Sequence, residues 1–239
     1  MTISRGFNRC STILLRNSGG RASRCVPDTR RTLSPRAYSA AFGNMWSWGL
    51  DTFAYRQPAW GGSLQIYEAD HPATQQWKQR RLKDANISIP PNLRFVPIDF
   101  ERTSIPEALG VADFAFGAST LCSWMGVTQY LTRDALDATF RFVLSLAALS
   151  EIVFSFILPQ EAVSGVEADA LALSEQRAAK VGEPWLTRLY SDELRAMLRS
   201  MGFSRIVHLT PEDARSRYFD NRRDGLRERQ GEQLMRAIV

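Results

Sequence analysis

From Phe42 onward the chain alternates two hydrophobic patterns. Leu64 to Asp70 (LQIYEAD) alternates apolar and polar positions, as a half-buried strand does, and Pro72 to Lys83 follows as a helix with proline in its first turn. Arg94 to Phe100 (RFVPIDF) reads as a strand ending at Asp99, Pro106 to Gly110 as a short helical turn, and Ala112 to Trp124 as an apolar stretch containing a buried strand. Thr132 to Leu149 has helical spacing, with Leu136, Phe140, Val143, Leu144 and Ala147 on one face and Thr132 placed to cap it. Glu151 to Leu158 (EIVFSFIL) is apolar on both faces, the pattern of a strand in the middle of a parallel sheet. Ser191 to Met201 predicts a helix capped by Ser191 and stopped by Gly202, then Ser204 to Leu209 a strand. Thr210-Pro211-Glu212-Asp213 opens a last helix. Strand-helix alternation of this kind predicts an open α/β sheet with helices on both faces. The polar helix around Glu167 to Lys180 interrupts the alternation and is read as a lid or substrate-side element.

Residues 1–41 do not share the pattern. The net charge of +5 over 239 residues is uneven: residues 1–40 carry eight Arg, no Lys and one acid, Asp28, which leaves about −2 for the remainder. We therefore divide the chain into an Arg/Ser-rich tail (1–41) and a globular domain (42–239). Three readings fit the tail: a disordered extension, an organelle transit peptide, or a spurious or degenerate segment. A basic tail on a near-neutral body argues against a nucleic-acid-binding core. Apolar content of 44% is normal for a domain with a real core. Cys10, Cys25 and Cys122 show no CxxC spacing, which points to a reducing compartment; cytoplasm is the expected setting, with mitochondria the alternative if the tail is a transit peptide. With two histidines and no HExxH, no metal site is expected. The longest apolar stretch, Phe142 to Leu158, is broken by Glu151 and is too short for a membrane span.

Three predicted strand ends carry acids: Asp51, the pair Glu68 and Asp70, and Asp99. In an open α/β sheet the ligand lies outside the carboxyl ends of the strands, and an acid after the second strand accepts hydrogen bonds from the hydroxyls of a ribose. Taken singly, each acid is better read as a helix cap or a strand terminus. Together they point to a nucleotide-like cofactor. No G-x-G-x-x-G follows the first strand, which disfavours a dinucleotide oxidoreductase. The basic run Lys78, Arg80, Arg81 and Lys83 reads as a solvated helix face. His71 reads as a helix-start residue and His208 as structural. Trp185 and Tyr130 are read equally as pocket-lining or as packing.

The blocks GLDTFAYR (Gly49 to Arg56), YEADHPATQQWKQRRL (Tyr67 to Leu82), RFVPIDF, SWMGVTQYLT (Ser123 to Thr132), EIVFSF, GEPWL (Gly182 to Leu186) and RYFDNRRDGLR (Arg217 to Arg227) resemble, in this order, the S-adenosylmethionine-dependent methyltransferases of the leucine carboxyl methyltransferase type. The resemblance runs from about Gly49 to Arg227 and implies a class I methyltransferase (Rossmann-like) fold with a seven-stranded sheet, incomplete at its N-terminal side. It implies S-adenosyl-L-methionine as cofactor, with Gly49 in the turn after the first strand, Asp70 on the ribose, and Asp99 and Phe100 on the adenine side. It also implies O-methylation of a carboxyl or hydroxyl group on a small molecule and no dedicated metal; from charge and hydropathy, neither a nucleic-acid nor a membrane partner is expected. It names no catalytic residue and no oligomeric state. The family's first strand ends in L-G-A-G-L-D-T, where this chain has Trp46-Ser47-Trp48-Gly49-Leu50-Asp51-Thr52. One glycine remains at a turn where backbone must approach the cofactor, and Met125 stands where the family often has an acid. From these departures we expect weak cofactor binding or none, and the alternative reading is an inactive remnant of the fold.

Overall fold

The structure, a computed structural model, describes residues 42–48, 51–99 and 103–239. The tail, Gly49 and Phe100 lie outside the described residues. Seven strands form one sheet in the order β3-β2-β1-β4-β5-β7-β6. These are β1 (Asn44–Trp48), β2 (Gln65–Asp70), β3 (Leu93–Pro97), β4 (Thr120–Trp124), β5 (Glu151–Ile157), β6 (Arg205–Leu209) and β7 (Glu232–Ile238). The first five strands run parallel, and β7 lies antiparallel between β5 and β6. The expected α/β class, with a mainly parallel sheet and helices on both faces, is the one observed.

The helices are α1 (Pro72–Asp84), α2 (Ile105–Val111), α3 (Arg133–Leu144), α4 (Gly165–Lys180), α5 (Ser191–Met201) and the single turn α6 (Pro211–Ala214). Their starts follow local chemistry. The Oγ1 of Thr132 accepts from Ala135 N and that of Thr210 from Asp213 N. Ser104 and Glu107 form a reciprocal capping box at α2, satisfying amides that a helix start leaves open. Three boundaries differ from the sequence reading. Strand β3, read as ending at Asp99, stops at Pro97 and leaves Asp99 two residues beyond it. Tyr190, not Ser191, is the residue before α5, and it caps nothing with its side chain. The helix expected to run to Leu149 stops at Leu144, and the chain turns through Leu149 at φ 68° before entering β5. Gly202 ends α5 at φ 116°, a left-handed conformation that favours glycine.

The pleat sorts the core into two sets. Trp46, Trp48, Tyr67, Ala69, Cys122, Trp124, Ile152 and Phe154 pack with Leu109, Leu136, Phe140, Val143, Leu194 and Leu198 of α2, α3 and α5. Met45 and Ile66, from the alternate positions, gather with Phe42, Ala54, Leu64 and Leu93 in a smaller cluster. Every residue of β5 is buried, as its unbroken apolar text predicts for a central strand. Strand β7 escapes the sequence reading because Gln233 and Arg236 interrupt its apolar positions. Arg236 finds its reason only in the sheet, where its guanidinium pairs with the buried Glu151 of β5 (Nε to Oε2, 2.8 Å). Among the described residues no helix is long and apolar enough to cross a membrane.

Candidate cofactor site

Strand β1 is flanked by β2 on one side and β4 on the other, so the chain order reverses there and opens a crevice above the carboxyl ends of the two strands. Trp48, Asp70, Pro97 and Trp124 end the strands along this edge. Asp70 closes β2, and the proline-started helix α1 begins two residues later. His71 is the N-cap of α1 and accepts from Ala73 N through its ring nitrogen, the helix-start role read from the sequence. The His71 amide donates to one Asp70 carboxylate oxygen at 2.7 Å. Among the described residues that carboxylate has no other hydrogen-bond donor, so its second oxygen is left for a ligand. Burial pushes the Asp70 carboxyl up to about 6, against the pull of the His71 amide and of the Lys78 and His71 charges.

Asp99 arrives at the same edge. The amide of Ile98 donates to the Asp70 carbonyl at 3.0 Å, so the segment leaving β3 is stitched to the end of β2 and the two acids become neighbours in space. The Asp99 carbonyl accepts from Thr103 N at 2.8 Å. Of the four expected cofactor residues, the structure brings together Asp70 and Asp99; Gly49 and Phe100 fall outside the described residues.

Glu68 and Lys78 are placed differently from the sequence reading. Glu68 is 1% exposed and does not line the edge with Asp70. Its Oε1 accepts from the Lys78 ammonium at 2.6 Å, and Lys78 is itself 6% exposed. The basic run on α1 is therefore not one solvated face: Lys78 turns inward, on the same face as the buried Gln75 and Leu82. Gln75 donates to the carbonyls of Glu68 (2.7 Å) and Val96 (3.0 Å). Lys78 also donates to the Asp51 carbonyl at 2.6 Å and lies 5.2 Å from the centroid of the Tyr55 ring. Burial raises the Glu68 carboxyl well above the usual carboxylate range, with Lys78 opposing. Composition could not separate Lys78 from its basic neighbours; the i, i+3, i+7 spacing of Gln75, Lys78 and Leu82 was the available signal.

Trp48 stands where the family has alanine. Its side chain enters the core under the crevice, 5.3 Å from the Trp46 ring and 5.7 Å from the Trp124 ring by centroids. Beyond β4, the Gly126 amide donates to Ser155 Oγ at 2.8 Å. The segment after α4 crosses to this side: Leu186 N donates to the Gln129 carbonyl at 2.6 Å, and Thr187 Oγ1 to the Leu131 carbonyl at 2.6 Å. Trp185 packs half-buried against the main core beneath the Arg188 guanidinium. His208 holds Gln233 across the β6–β7 pair at 2.8 Å, a structural position.

Residues 48–144 match the family model described as leucine carboxyl methyltransferase. A Bacillus subtilis (strain 168) protein named "Putative S-adenosyl-L-methionine-dependent methyltransferase YktD" is 36% identical over 179 residues, covering 74% of this chain and 59% of its own length. The chain thus spans less than two thirds of that relative. Among solved structures, the S-adenosylmethionine-dependent methyltransferase SibL in its apo form superposes with a TM-score of 0.53 at 12% identity, covering 84% of this chain and 51% of that one. A DUF574 family protein from Streptomyces avermitilis superposes with a TM-score of 0.54 at 13% identity, covering 85% and 80%. At such identities these two speak for the fold alone, which is the class I methyltransferase sheet. Through residues 48–144, the chain is similar to the leucine carboxyl methyltransferase family.

Proposed function

We propose that the chain binds S-adenosyl-L-methionine at the β1–β4 crevice and transfers its methyl group to a carboxyl or hydroxyl oxygen of a small molecule. The observation that carries this reading is Asp70: a half-buried carboxylate at the end of β2, held by one backbone amide and, among the described residues, with one oxygen unused, beside the switch point of the sheet. The free oxygen fits a pair of ribose hydroxyls as donors. Asp99, drawn alongside by the Ile98 amide, is the residue for the adenine side. When bound, the cofactor supplies an electrophilic methyl on sulfur. The protein's part is to place the acceptor oxygen in line with it, so that positioning does most of the work. A carboxylate acceptor arrives ionised and needs no base, whereas a hydroxyl acceptor needs one. The family's described carboxyl chemistry supports the first. Trp48 lies in the core and does not fill the crevice; the glycine replaced by Ser47 and the Met125 position remain as grounds for expecting weak binding. The sparse cysteines support a cytoplasmic setting.

Titration calorimetry of the full chain with S-adenosyl-L-methionine tests the cofactor. Saturable binding is expected, weakened about tenfold or more by Asp70→Asn, because hydrogen bonds to a charged group are worth about 1.5–3 kcal/mol. An absence of heat up to millimolar ligand overturns the reading. Transfer of labelled methyl to carboxylate or hydroxyl acceptors then separates the two substrate classes.

A further inference from the structure

We infer that Lys78 is a positioning residue for the cofactor seat: its ammonium bridges the Glu68 carboxylate and the Asp51 carbonyl and so holds the chain leaving β1 against β2 and α1. The inference rests on the cofactor reading above. A buried ion pair needs only two partners, and Lys78 has a third group in reach that ion pairing does not explain. The Asp51 carbonyl belongs to the segment that leaves the switch-point strand, where the family carries its glycines and this chain retains one. Among the described residues between β1 and β2 no α-helix fixes that segment; two short 3-10 helices, Phe53–Tyr55 and Ala59–Ser63, lie in the connection. Its local bonds are short-range: Asp51 Oδ1 accepts from Phe53 N at 2.9 Å, and the Thr52 and Phe53 carbonyls accept from Tyr55 N and Arg56 N. The Lys78 bond crosses 27 residues and anchors Asp51 to the same helix that begins beside Asp70. The Tyr55 ring, 5.2 Å from the ammonium, covers it on a further side. Only a long, flexible side chain with several donors reaches a carboxylate and a carbonyl at once from inside a helix face.

Two variants separate positioning from plain ion pairing. Glu68→Gln removes the charge partner but leaves the lysine its hold on Asp51. Lys78→Met removes both, and the pair Glu68→Leu/Lys78→Met removes both without leaving a buried charge, an exchange that proteins often tolerate. Hydrogen exchange of the 51–56 segment by mass spectrometry reads the positioning directly, without cofactor. The double variant is expected to melt near the wild type, to exchange this segment about tenfold or more faster, and to lose about tenfold or more in S-adenosyl-L-methionine affinity, as for one lost charge-assisted bond. Glu68→Gln is expected to keep the wild-type exchange of this segment, with affinity within about threefold. Wild-type exchange in the double variant, or equal acceleration by Glu68→Gln and Lys78→Met, overturns the inference. If the wild type binds no cofactor, the cofactor reading falls, and exchange alone decides whether Lys78 positions the segment.

Discussion

Trp48→Ala restores the residue that the family carries at the end of the first strand, and the structure sets what this costs. The Trp48 side chain is 8% exposed, with the Trp46 ring at 5.3 Å and the Trp124 ring at 5.7 Å. A buried indole contributes roughly 200 Å² of apolar surface, so at about 25 cal/mol per Å² its burial is worth roughly 5 kcal/mol as an upper bound. The alanine methyl recovers a part of this, while each lost aromatic pair removes about 0.5–1.5 kcal/mol more. The surrounding rings come from β1 and β4 backbones locked in register, so the cavity closes poorly, and the expected loss is about 3–5 kcal/mol. Urea unfolding followed by far-UV circular dichroism measures it, with an unchanged m-value as the check that the denatured state is the same. A loss below about 1 kcal/mol would refute the placement of Trp48, since substitutions outside the core stay near that size. Cofactor titration of the same variant gives the complementary sign. An indole filling the crevice would yield tighter binding on truncation, whereas an indole in the core predicts unchanged or weaker binding.

Arg236→Met strands the Glu151 carboxylate, 1% exposed in the middle of the sheet, and is expected to cost about 3–5 kcal/mol; Glu151→Met/Arg236→Met should recover most of it in the same urea assay. Cofactor affinity should fall as pH drops through about 6, because burial raises Asp70 there and a protonated carboxyl accepts poorly; calorimetry at pH 5 and 8 reads this, and a flat profile would remove Asp70 from the binding site. The same raised group gives the folded protein, without ligand, a stabilising contribution that is full below the ordinary aspartate value of 3.8 and lost as pH rises through about 6; Asp70→Asn should flatten that part of the melting profile.

What the sequence made legible follows from how locally each feature is determined. Strands β2 and β5 are written in their own residues, one by alternation and one by an unbroken apolar run, and helix starts at Thr132 and Thr210 are written in their caps. Strand β7 is not, since Arg236 is intelligible only opposite Glu151, 85 residues away in sequence. The site divides in the same way. Asp70 is marked by the strand that ends on it and the proline that follows, and Asp99 by the apolar strand pattern of RFVPI just before it, although β3 itself stops at Pro97. The inward turn of Lys78 depends on which face of α1 meets the sheet, and the burial of Trp48 depends on Trp124 arriving from β4. Neither partner is adjacent in sequence, so composition read Lys78 as solvated, and nothing local marked Trp48 as a core residue.

The two acids of β2 show how one short sequence obtains two different chemical groups. Glu68 and Asp70 are two residues apart and share a face of the strand, about 6.6 Å from one another along its axis. Helix α1 starts at Pro72 and returns across that face. Lys78 comes six residues after Pro72, about 9 Å back along the helix at about 1.5 Å per residue, which carries its ammonium past Asp70 to the depth of Glu68. The inner acid therefore receives the buried lysine and becomes part of the framework, while the outer acid receives a single amide at the helix mouth and keeps an oxygen open. A lysine one turn earlier on α1, at Thr74, would fall about 6 Å nearer the edge, pair Asp70 instead, and occupy the oxygen that the proposed ribose requires. Thr74→Lys should accordingly weaken cofactor binding without unfolding the domain, and unaltered affinity in that variant would show that the depth of the lysine does not decide which acid is free.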